Sequence, residues 1–375
     1  MTTMPEPGPP PTMRAALLVA PERLEIQNAP RPSCPQGGLL LRVLACAICG
    51  SDSRLFLGRK RIHGRQTIDG RPLPGPILGH EIAGRIVEAG TGVTQFRPGE
   101  HVVVAPGISC GACDLCRTGH VQICRNYEAL GYRFPGGFAQ YLAVPAPLVA
   151  DGSVNRIPPG TPPWTACLAE PLACALNAQA AMHVQRGDTV LIAGAGPMGS
   201  LHLLLARRRG ASYIAISEPD PTRRLTAKDL GADLVVDPAS PTWASDLRAG
   251  AGGRGFSAAI FAVSSIAPVR QLFSHIEDGT YSLLTPGVRV NFFAGLDPGD
   301  TVLPLDVRAL HYQAISTFGS VNSTPRQNAD ALHLIATRAV DASRLVTARL
   351  PLARIGEAMR LATSPAHLKV VIEPE

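Results

Sequence analysis

The second half of the chain alternates between short apolar strands and helical segments, and this pattern constrains the fold most strongly. From Asp188 onward, strands such as DTVLIAG, YIAIS and DLVVD are separated by helical segments such as PMGSLHLLLARRRG and PTRRLTAKDLG. Continuous apolar strands that alternate with helices indicate a parallel sheet with both faces covered. We therefore predict a doubly wound α/β domain over residues 175–318.

A glycine-rich turn connects the first of these strands to the first helix. Gly194, Gly196 and Gly199 form the pattern G-x-G-x-x-G, with Pro197 and Met198 between the last two glycines. The first glycine permits a tight turn, the second lets a pyrophosphate approach the backbone, and the third lets helix and strand pack closely. The helix N-terminus then attracts phosphate groups. The context predicts a Rossmann dinucleotide site, with a glycine-rich turn in another doubly wound domain as the alternative.

The second strand of this domain ends at an acidic residue that bears on the choice of dinucleotide. Glu218 follows YIAIS, where a carboxylate accepts hydrogen bonds from ribose hydroxyls and repels a 2′-phosphate. Arg223 and Arg224 come soon afterwards, and an arginine at this place accommodates a 2′-phosphate. We expect NAD, with NADP as the less favoured cofactor.

The front part of the chain has a different pattern of predicted elements. Short strands such as RAALLV, LLLRVLACAI and EHVVVAP are broken by turn signals such as PQGG and RPGE, which predicts a β-rich domain over residues 13–174. Residues 1–12 are rich in proline and have little to bury, so we expect a tail outside the fold. Residues 319–375 carry two helical segments and a last strand, LKVVIEP, which we expect to return to the front domain.

Composition excludes several functional classes. The net charge is +6, but lysine and arginine are scattered rather than clustered with aromatic residues, which argues against nucleic-acid binding. No apolar run is long enough for a membrane helix, and no signal peptide is evident, so we expect a cytoplasmic protein. Nine cysteines in a reducing compartment favour metal ligation over disulfides.

Four of those cysteines lie in one short loop. Cys110, Cys113, Cys116 and Cys124 have the spacing C-x2-C-x2-C-x7-C in a glycine-containing segment. Four thiolates can surround a tetrahedral metal and leave no open position for chemistry, so we predict a structural zinc site. An iron–sulfur cluster also takes four cysteines, but the spacing and the Rossmann context disfavour it.

A catalytic zinc needs ligands and an open position, and four residues are candidates. Cys49 lies in CGSD, His80 and Glu81 lie in GHE, and Glu170 lies in AEPLA. Each residue alone is equally consistent with a core cysteine or with a histidine or glutamate that has a structural partner. The prediction depends on their joint occurrence.

The order of these motifs resembles a known family. The motifs are CGSD at Cys49, GHE at His80 and Glu81, the four-cysteine loop, GGFAQY at Gly136, EPLA at Glu170 and GAGPMG at Gly194. Together they resemble the zinc-containing medium-chain dehydrogenase/reductase superfamily, in its polyol (sorbitol) and threonine dehydrogenase branch. The resemblance implies an α/β protein with a GroES-like β-rich catalytic domain, a Rossmann coenzyme domain, two Zn²⁺ ions per chain and NAD.

The resemblance also implies roles for individual residues. Cys49 and His80 would bind the catalytic zinc, and Glu81 and Glu170 would act as ligands directly, through water or by exchange. Ser51 resembles the hydroxyl of the family's proton relay. Arg54 stands where many relatives have a histidine, and a guanidinium cannot pass a proton as imidazole does. The outer relay is therefore expected to run through water or the ribose hydroxyls.

The sequence constrains the substrate less closely than it constrains the metal and cofactor sites. Asn322 and Ser323 fall where the polyol members of the family approach substrate hydroxyls, which implies a polyhydroxylated small molecule such as a polyol, sugar or aminocyclitol. A basic segment, 54–71, is either a solvated loop or a flap that attracts an anionic substrate, in which Arg54 would take part. An amino alcohol or an anionic alcohol is the alternative substrate, and a non-catalytic redox sensor is the alternative function. We expect a homo-oligomer, either a dimer or a tetramer.

Overall fold

The computed structural model describes residues 11–62, 64–274, 276–277, 280–296, 299 and 301–374. Of the expected tail, 1–12, residues 1–10 lie outside the described residues. The first strand begins at Thr12, one residue before the predicted start at Met13. Pro11 also contacts the fold, because its carbonyl accepts a hydrogen bond from Arg31 N at 3.1 Å.

The strands of the front half are short and mostly antiparallel. They are β1 (Thr12–Ala20), β2 (Arg23–Pro30), β3 (Leu39–Ala47), β4 (Thr67–Ile68), β5 (Arg71–Pro72), β6 (Glu81–Ala89), β7 (His101–Val104), β8 (Gly107–Ile108), β9 (Glu128–Ala129), β10 (Tyr141–Val144) and β11 (Val154–Arg156). The helices among and after them are α1 (Gly50–Phe56), α2 (Asp114–Arg117), α3 (Ala146–Ala150), α4 (Pro163–Ala166) and α5 (Ala169–Ala181).

The second half contains the predicted alternation. Its strands are β12 (Thr189–Ala193), β13 (Tyr213–Ser217), β14 (Leu234–Val236), β15 (Phe256–Phe261), β16 (Ile276–Glu277), β17 (Thr280–Tyr281), β18 (Leu284–Phe292), β19 (Ser316–Gly319), β20 (Val346–Pro351) and β21 (Lys369–Glu373). Its helices are α6 (Pro197–Arg208), α7 (Pro221–Asp229), α8 (Trp243–Gly250), α9 (Ala267–Ser274), α10 (Val307–Tyr312), α11 (Pro325–Ala336) and α12 (Ile355–Thr363).

The parallel sheet has the strand order of a doubly wound dinucleotide-binding domain. Its order is β14-β13-β12-β15-β18-β19, and each pair of neighbouring strands is parallel. This is the 3-2-1-4-5-6 order of the Rossmann fold, in which ligands bind at the carboxyl ends of the strands. Gly194 follows β12 directly, so the glycine turn lies at that edge.

The front sheet is completed by the last strand of the chain. Its order is β11-β7-β6-β3-β21-β20, with β10 also paired to β3. Strand β21 pairs antiparallel with β3 through Val371↔Ala47 and Ile372↔Cys46. The carboxyl-terminal segment therefore belongs to the same sheet as the residues that precede Cys49.

Each half of the chain has its own hydrophobic core, and a third hydrophobic core joins the two halves. The front core includes Leu41, Ile82 and Phe138, and the outer face of the parallel sheet packs around Phe256 and Leu247. The joining core runs from Ala47 and Ala83 through the buried face of α5 to β12 and α6. Helix α5 thus fixes one domain against the other. In the described part of the chain, every helix is too short or too polar to cross a membrane.

Candidate active site and metal centres

The four-cysteine loop gathers its sulfur atoms around one point. It projects between β8 and β9, whose antiparallel pairing closes the base of the loop. The Cys113 and Cys116 Sγ atoms are 3.5 Å apart, the Cys110 and Cys124 Sγ atoms are also 3.5 Å apart, and Cys113 lies 3.9 Å from Cys124. A tetrahedral zinc with Zn–S bonds of about 2.3 Å has sulfur separations of this size. The donor set fits a structural zinc.

Backbone N–H groups in the loop favour thiolates. Hydrogen bonds from the backbone lower the pKa of Cys113 to about 6 and also lower the pKa of Cys110. Burial raises the pKa of Cys116 to about 11. Cys124 Sγ accepts from Cys110 N at 3.3 Å and from Asn126 N at 3.4 Å. The loop therefore stabilises negative charge at Cys110 and Cys113 before a cation adds its own attraction.

A second cluster joins Cys49, His80 and Glu81. One ligand atom from each residue lies within 4.8 Å of the others. Cys49 precedes α1 and follows β3, whereas His80 and Glu81 stand at the start of β6. Because β3 pairs with β6 and Ala47 faces Glu81, the two sequence-distant motifs meet at one sheet edge.

Asp52 orients this cluster, and the sequence prediction missed it. Its carboxylate accepts from Cys49 N at 3.0 Å, which caps α1, and its Oδ1 lies 3.4 Å from His80 Nδ1. Burial alone would lower the pKa of His80, but Asp52 and Cys49 outweigh it and hold that pKa well above its usual value. A carboxylate behind a metal-binding histidine fixes the ring and its tautomer. The aspartate of CGSD was the available signal.

Glu81 has one oxygen engaged and one oxygen unsatisfied. Oε1 contacts the Lys369 ammonium, and Lys369 Nζ also donates to Ile48 O at 3.2 Å. Oε2 is buried and has no hydrogen-bond partner among the described residues. A buried carboxylate oxygen beside a thiol and an imidazole matches the N, S and O donors that zinc takes. The residues present therefore fit a catalytic zinc.

Glu170 lies outside this three-residue cluster but close to it. It sits in the first turn of α5, and Cys174 Sγ is 3.6 Å from its Oε1. Burial raises the pKa of Glu170 to about 7, and the charges of His80, Glu81 and Lys369 also act on it. The carboxyl group is thus near the metal donors without being one of the three that meet at a point.

Ser51, Tyr132 and Lys60 line the approach to the cluster. Tyr132 has its ring centroid 5.5 Å from that of His80, and Lys60 Nζ lies 4.7 Å from the same Tyr132 centroid. Burial raises the pKa of Tyr132 to about 12, and a hydrogen bond with Ser51 opposes the rise. Arg54 Nη1 donates to Gly295 O at 2.9 Å, so this arginine joins α1 to the loop after β18.

The three glycines of the dinucleotide motif have three different environments. A Cβ at Gly194 would lie 2.3 Å from Val263 Cγ1, and Gly194 has φ +98°. A Cβ at Gly199 would lie 1.9 Å from Gly194 O, whereas a Cβ at Gly196 would meet only Arg223 Nη1 at 3.9 Å. The first and third glycines are required by the fold, and the second faces open space, as an approaching pyrophosphate requires.

The acid after β13 is held by the glycine turn itself. Glu218 is 4% exposed, its Oε2 accepts from Ala195 N at 2.7 Å, and its Oε1 accepts from Asp220 N at 2.9 Å. Arg224 is tied to Asp237 at 3.0 Å, whereas Arg223 Nε donates to Pro365 O at 3.3 Å. Arg223 Nη1 is the atom that a Cβ at Gly196 would meet at 3.9 Å, so Arg223 lies beside the turn. Pro197 opens α6, Met198 follows it, and both are half-buried.

A cavity of about 280 Å³ lies at the same edge of the parallel sheet. Phe261 and Phe292, the last residues of β15 and β18, line it together with Val263, Ile266 and Leu303. Its lining is almost wholly apolar, which suits the planar rings of a dinucleotide.

The two predicted substrate residues lie after β19. Asn322 has φ +55°, its Nδ2 donates to Gln122 O at 2.9 Å, and its own carbonyl accepts from Asn177 Nδ2 at 3.1 Å. The Asn322 amide thus ties this segment to the four-cysteine loop. Ser323 is half-buried and precedes the Thr324 cap of α11.

The fold and the site define a two-domain enzyme with a metal-binding front domain and a dinucleotide-binding Rossmann domain. The family model for the alcohol dehydrogenase GroES-like domain matches residues 35–153, and the model for zinc-binding dehydrogenases matches residues 197–337. The first match contains Cys49, His80, Glu81 and the four-cysteine loop, and the second begins at Pro197, directly after the second glycine of the dinucleotide motif.

Known proteins agree with this class. L-threonine 3-dehydrogenase of Pyrococcus horikoshii is 33% identical over 292 residues, which cover 78% of this chain and 77% of the relative. Sorbitol dehydrogenase of Bacillus subtilis is 27% identical, with 97% of this chain and 98% of the relative covered. A zinc-binding dehydrogenase of Sinorhizobium meliloti 1021, solved with NADP, superposes with a TM-score of 0.84 at 29% identity, over 97% and 99% of the two chains.

This chain belongs to the zinc-containing medium-chain dehydrogenase/reductase superfamily, in the branch of polyol and threonine dehydrogenases. It is an oxidoreductase that acts on CH–OH groups with Zn²⁺ and NAD(P). The predicted family, fold class and reaction class are confirmed.

Proposed function

We propose that this protein oxidises a secondary alcohol of a polyol, a sugar or a cyclitol, aminocyclitols included, and passes the hydride to NAD⁺. The observation that carries the proposal is the Cys49, His80 and Glu81 cluster, because it combines three metal donors with a buried, unsatisfied carboxylate oxygen. The bridge from Arg54 to Gly295 connects this side of the site to the coenzyme domain. A metal-held hydroxyl and a dinucleotide can therefore share one cleft.

Zinc binding and proton transfer would be carried out by different residues of the chain. Cys49 and His80 would hold the catalytic zinc, with Glu81 and Glu170 as direct, water-mediated or exchanging ligands. When bound, zinc lowers the pKa of an alcohol and the nicotinamide accepts a hydride. Ser51 Oγ would accept the proton of the substrate hydroxyl and pass it outward, to water or to the ribose hydroxyls of bound NAD, because Arg54 cannot accept it.

The structural zinc would be held by the four-cysteine loop, which has no part in the chemistry. Its attachment to Asn322 through Gln122 O gives the loop a role in fixing the segment after β19. We propose that this segment, with Asn322 and Ser323, contributes to recognition of substrate hydroxyls. Unpaired polar groups in such a pocket would reject a plain alcohol.

NAD is the proposed cofactor because Glu218 places a buried carboxylate beside the glycine turn. A 2′-phosphate there would be repelled by the charge of that carboxylate. Arg223, which lies beside Gly196, favours NADP instead. Initial rates measured side by side with NAD and with NADP give the cofactor preference directly.

We further propose that the enzyme is a homo-oligomer. Val302, Val307 and Tyr312 are 75%, 74% and 70% exposed, and they lie in the segment that precedes β19, the edge strand of the parallel sheet. An exposed apolar group next to an open sheet edge is typical of a subunit interface. We also propose that the protein works in the reducing cytoplasm, because five of its cysteines, Cys49 and the four of the loop, are candidate zinc ligands that must stay reduced. The proposed domain bounds are 13–174 for the catalytic domain, 175–318 for the coenzyme domain and 319–375 for the segment that returns to the catalytic domain.

The test is turnover together with metal content. NADH formation is measured with a panel of polyols, sugars, cyclitols and simple alcohols for wild type and Cys49→Ala, and zinc is quantified in both. We expect oxidation of a polyhydroxylated substrate by wild type, and its loss in the variant together with about one zinc per chain. The proposal would be contradicted if Cys49→Ala oxidised the substrate at the wild-type rate, or if zinc-loaded wild type oxidised no member of the panel.

A further inference from the structure

The segment between α1 and β6 is strongly basic and contains almost no compensating acid. We call residues 57–76 the basic insert; it contains Arg59, Lys60, Arg61, Arg65 and Arg71. Its one acidic residue, Asp69, points to a different part of the fold, because its carboxylate accepts from Ser33 N at 3.0 Å and from Ser33 Oγ at 2.8 Å. The positive charge of the insert is therefore not neutralised from within.

A buried glutamine anchors the insert beside the active site. Gln66 is 3% exposed, and its amide nitrogen donates to Tyr132 O at 2.8 Å and to Phe134 O at 3.1 Å. Its amide oxygen accepts from Ile77 N at 2.8 Å. Arg133 Nη1 also donates to Arg65 O at 2.9 Å. These bonds hold the insert against the segment that carries Tyr132, so it is a fixed part of the site wall.

Lys60 is the cation of the insert that reaches the site. Its Nζ lies over the Tyr132 ring, and the same ring also neighbours His80. Burial and then the charge of Arg54 lower the pKa of Lys60, and the charges of Cys49 and Asp52 act in the opposite direction. Lys60 is exposed and lies within electrostatic reach of the metal-donor cluster. No carboxylate of the described residues forms an ion pair with it.

Lys60 also borders an acid-free cavity. The cavity has a volume of about 480 Å³ and is lined by Lys60, Arg61 and Arg65 together with apolar and neutral polar residues. None of the lining residues is acidic. An exposed ammonium, two guanidinium groups nearby and a lining without a carboxylate make an environment that favours a bound anion.

We propose that Lys60 is a specificity-determining residue that binds an oxyanion group of the substrate, a carboxylate or a phosphate, while the reacting hydroxyl lies at the Cys49 and His80 cluster. This deepens the proposed function, on which it rests, and narrows the substrate to a hydroxylated acid or a sugar phosphate. Tyr132 then serves as the spacer between the reacting carbon and the anionic end. The charged contact contributes to substrate binding and leaves hydride transfer to the groups already described.

Three probes with similar hydroxyl groups but different charges distinguish binding of the anionic group from binding of the hydroxyls. Sorbitol is neutral, D-gluconate carries a carboxylate and sorbitol 6-phosphate carries a phosphate, and all three offer similar chains of secondary alcohols. Binding to the zinc-loaded, NADH-bound enzyme is measured by calorimetry, and turnover with NAD is measured in parallel. The variants are Lys60→Met, Lys60→Arg as the charge-conserving change, and Arg59→Met as the matched control, since Arg59 is exposed as Lys60 is but does not line the cavity.

We expect wild type to bind at least one anionic probe about tenfold or more tightly than sorbitol, as one hydrogen bond to a charged group allows. Lys60→Met should abolish this preference, Lys60→Arg should retain part of it, and Arg59→Met should retain it. The probe with the larger preference identifies carboxylate or phosphate.

The inference is overturned if wild type binds sorbitol as tightly as both anions, or if Lys60→Met keeps the full preference. Thermal unfolding of each variant shows whether a lost preference follows from a lost fold. Absence of turnover with every probe counts against the proposed function, whereas the calorimetric preference decides the role of Lys60 separately.

Discussion

The Lys369 ammonium contacts the Glu81 carboxylate in the interior of the protein, although 288 residues separate the two in sequence. Both side chains are almost fully buried, at 2% and 0% exposed. Burial alone would lower the pKa of Lys369, but the Glu81 carboxylate outweighs it and raises that pKa. The last strand of the chain therefore stabilises the charge of a residue at the candidate zinc site.

Lys369→Met should lower the free energy of unfolding by about 3–5 kcal/mol, because it leaves a buried carboxylate without its counter-charge. The double variant Lys369→Met/Glu81→Gln should recover part of that loss, because the remaining group is neutral. Denaturant unfolding of the two single variants and the double variant, all with zinc removed, measures the coupling. Lys228→Met, a change at an exposed position in α7, serves as the control. Additive effects of the two changes would show that the pair is not coupled.

Two alanine substitutions should separate the structural and the binding roles of the glycine turn. In Gly199→Ala the new Cβ would lie 1.9 Å from Gly194 O, so backbone must move and stability should fall by roughly 1–3 kcal/mol. In Gly196→Ala the nearest atom is 3.9 Å away and φ is −67°, so the fold should tolerate it.

The same Gly196→Ala variant should still bind NAD more weakly, because the methyl group occupies the approach of the pyrophosphate. We expect a KM for NAD raised by about tenfold, with an unchanged melting temperature in the absence of cofactor. Equal melting temperatures for the two alanine variants would contradict the assignment of separate roles.

Cys113→Ser should remove the structural zinc and leave the catalytic one. The variant loses one of four thiols that meet within 4.8 Å, so we expect about one zinc fewer per chain and a lower melting temperature. Cys34→Ser is the matched control, because Cys34 lies outside both metal-donor clusters of the described residues. Retention of full zinc by Cys113→Ser would show that the loop does not bind the metal.

His202 should make the protein sensitive to acid. It is fully buried in α6, its ring packs edge-on against Phe293 at 4.6 Å, and burial lowers its pKa from 6.5 to about 3. Between these two values the unfolded chain binds a proton that the folded chain does not, so falling pH below 6.5 costs about 1.4 kcal/mol of stability per unit. His202→Leu should therefore lose less stability than wild type between about pH 7 and about pH 5.

Zinc release also accompanies acidification, because the ligands become protonated. The comparison is therefore made at equal measured zinc content, and unfolding is followed at each pH. An identical acid-induced loss of stability in wild type and His202→Leu would contradict the role assigned to the histidine.

Elements with a strong local pattern could be predicted from the sequence, and those without one could not. The alternation after Asp188 predicted the parallel sheet because each strand and each amphipathic helix carries its own periodicity. Helix α5, which carries Glu170, was not predicted. Its sequence, AEPLACALNAQAA, is mostly small and apolar, since it is buried between the two domains, and a helix buried on several sides has little amphipathic contrast.

The sequence by itself determined the features whose parts are close together along the chain. All ligands of the four-cysteine loop and all three glycines of the dinucleotide turn lie within single short segments, so their spacing already specifies the geometry. The tertiary structure alone decided the contacts of Lys369 with Glu81, Gln66 with the Tyr132 segment, and Lys60 with Tyr132. These contacts depend on how strands and loops from distant parts of the chain are brought together, and local spacing carries no information about that packing.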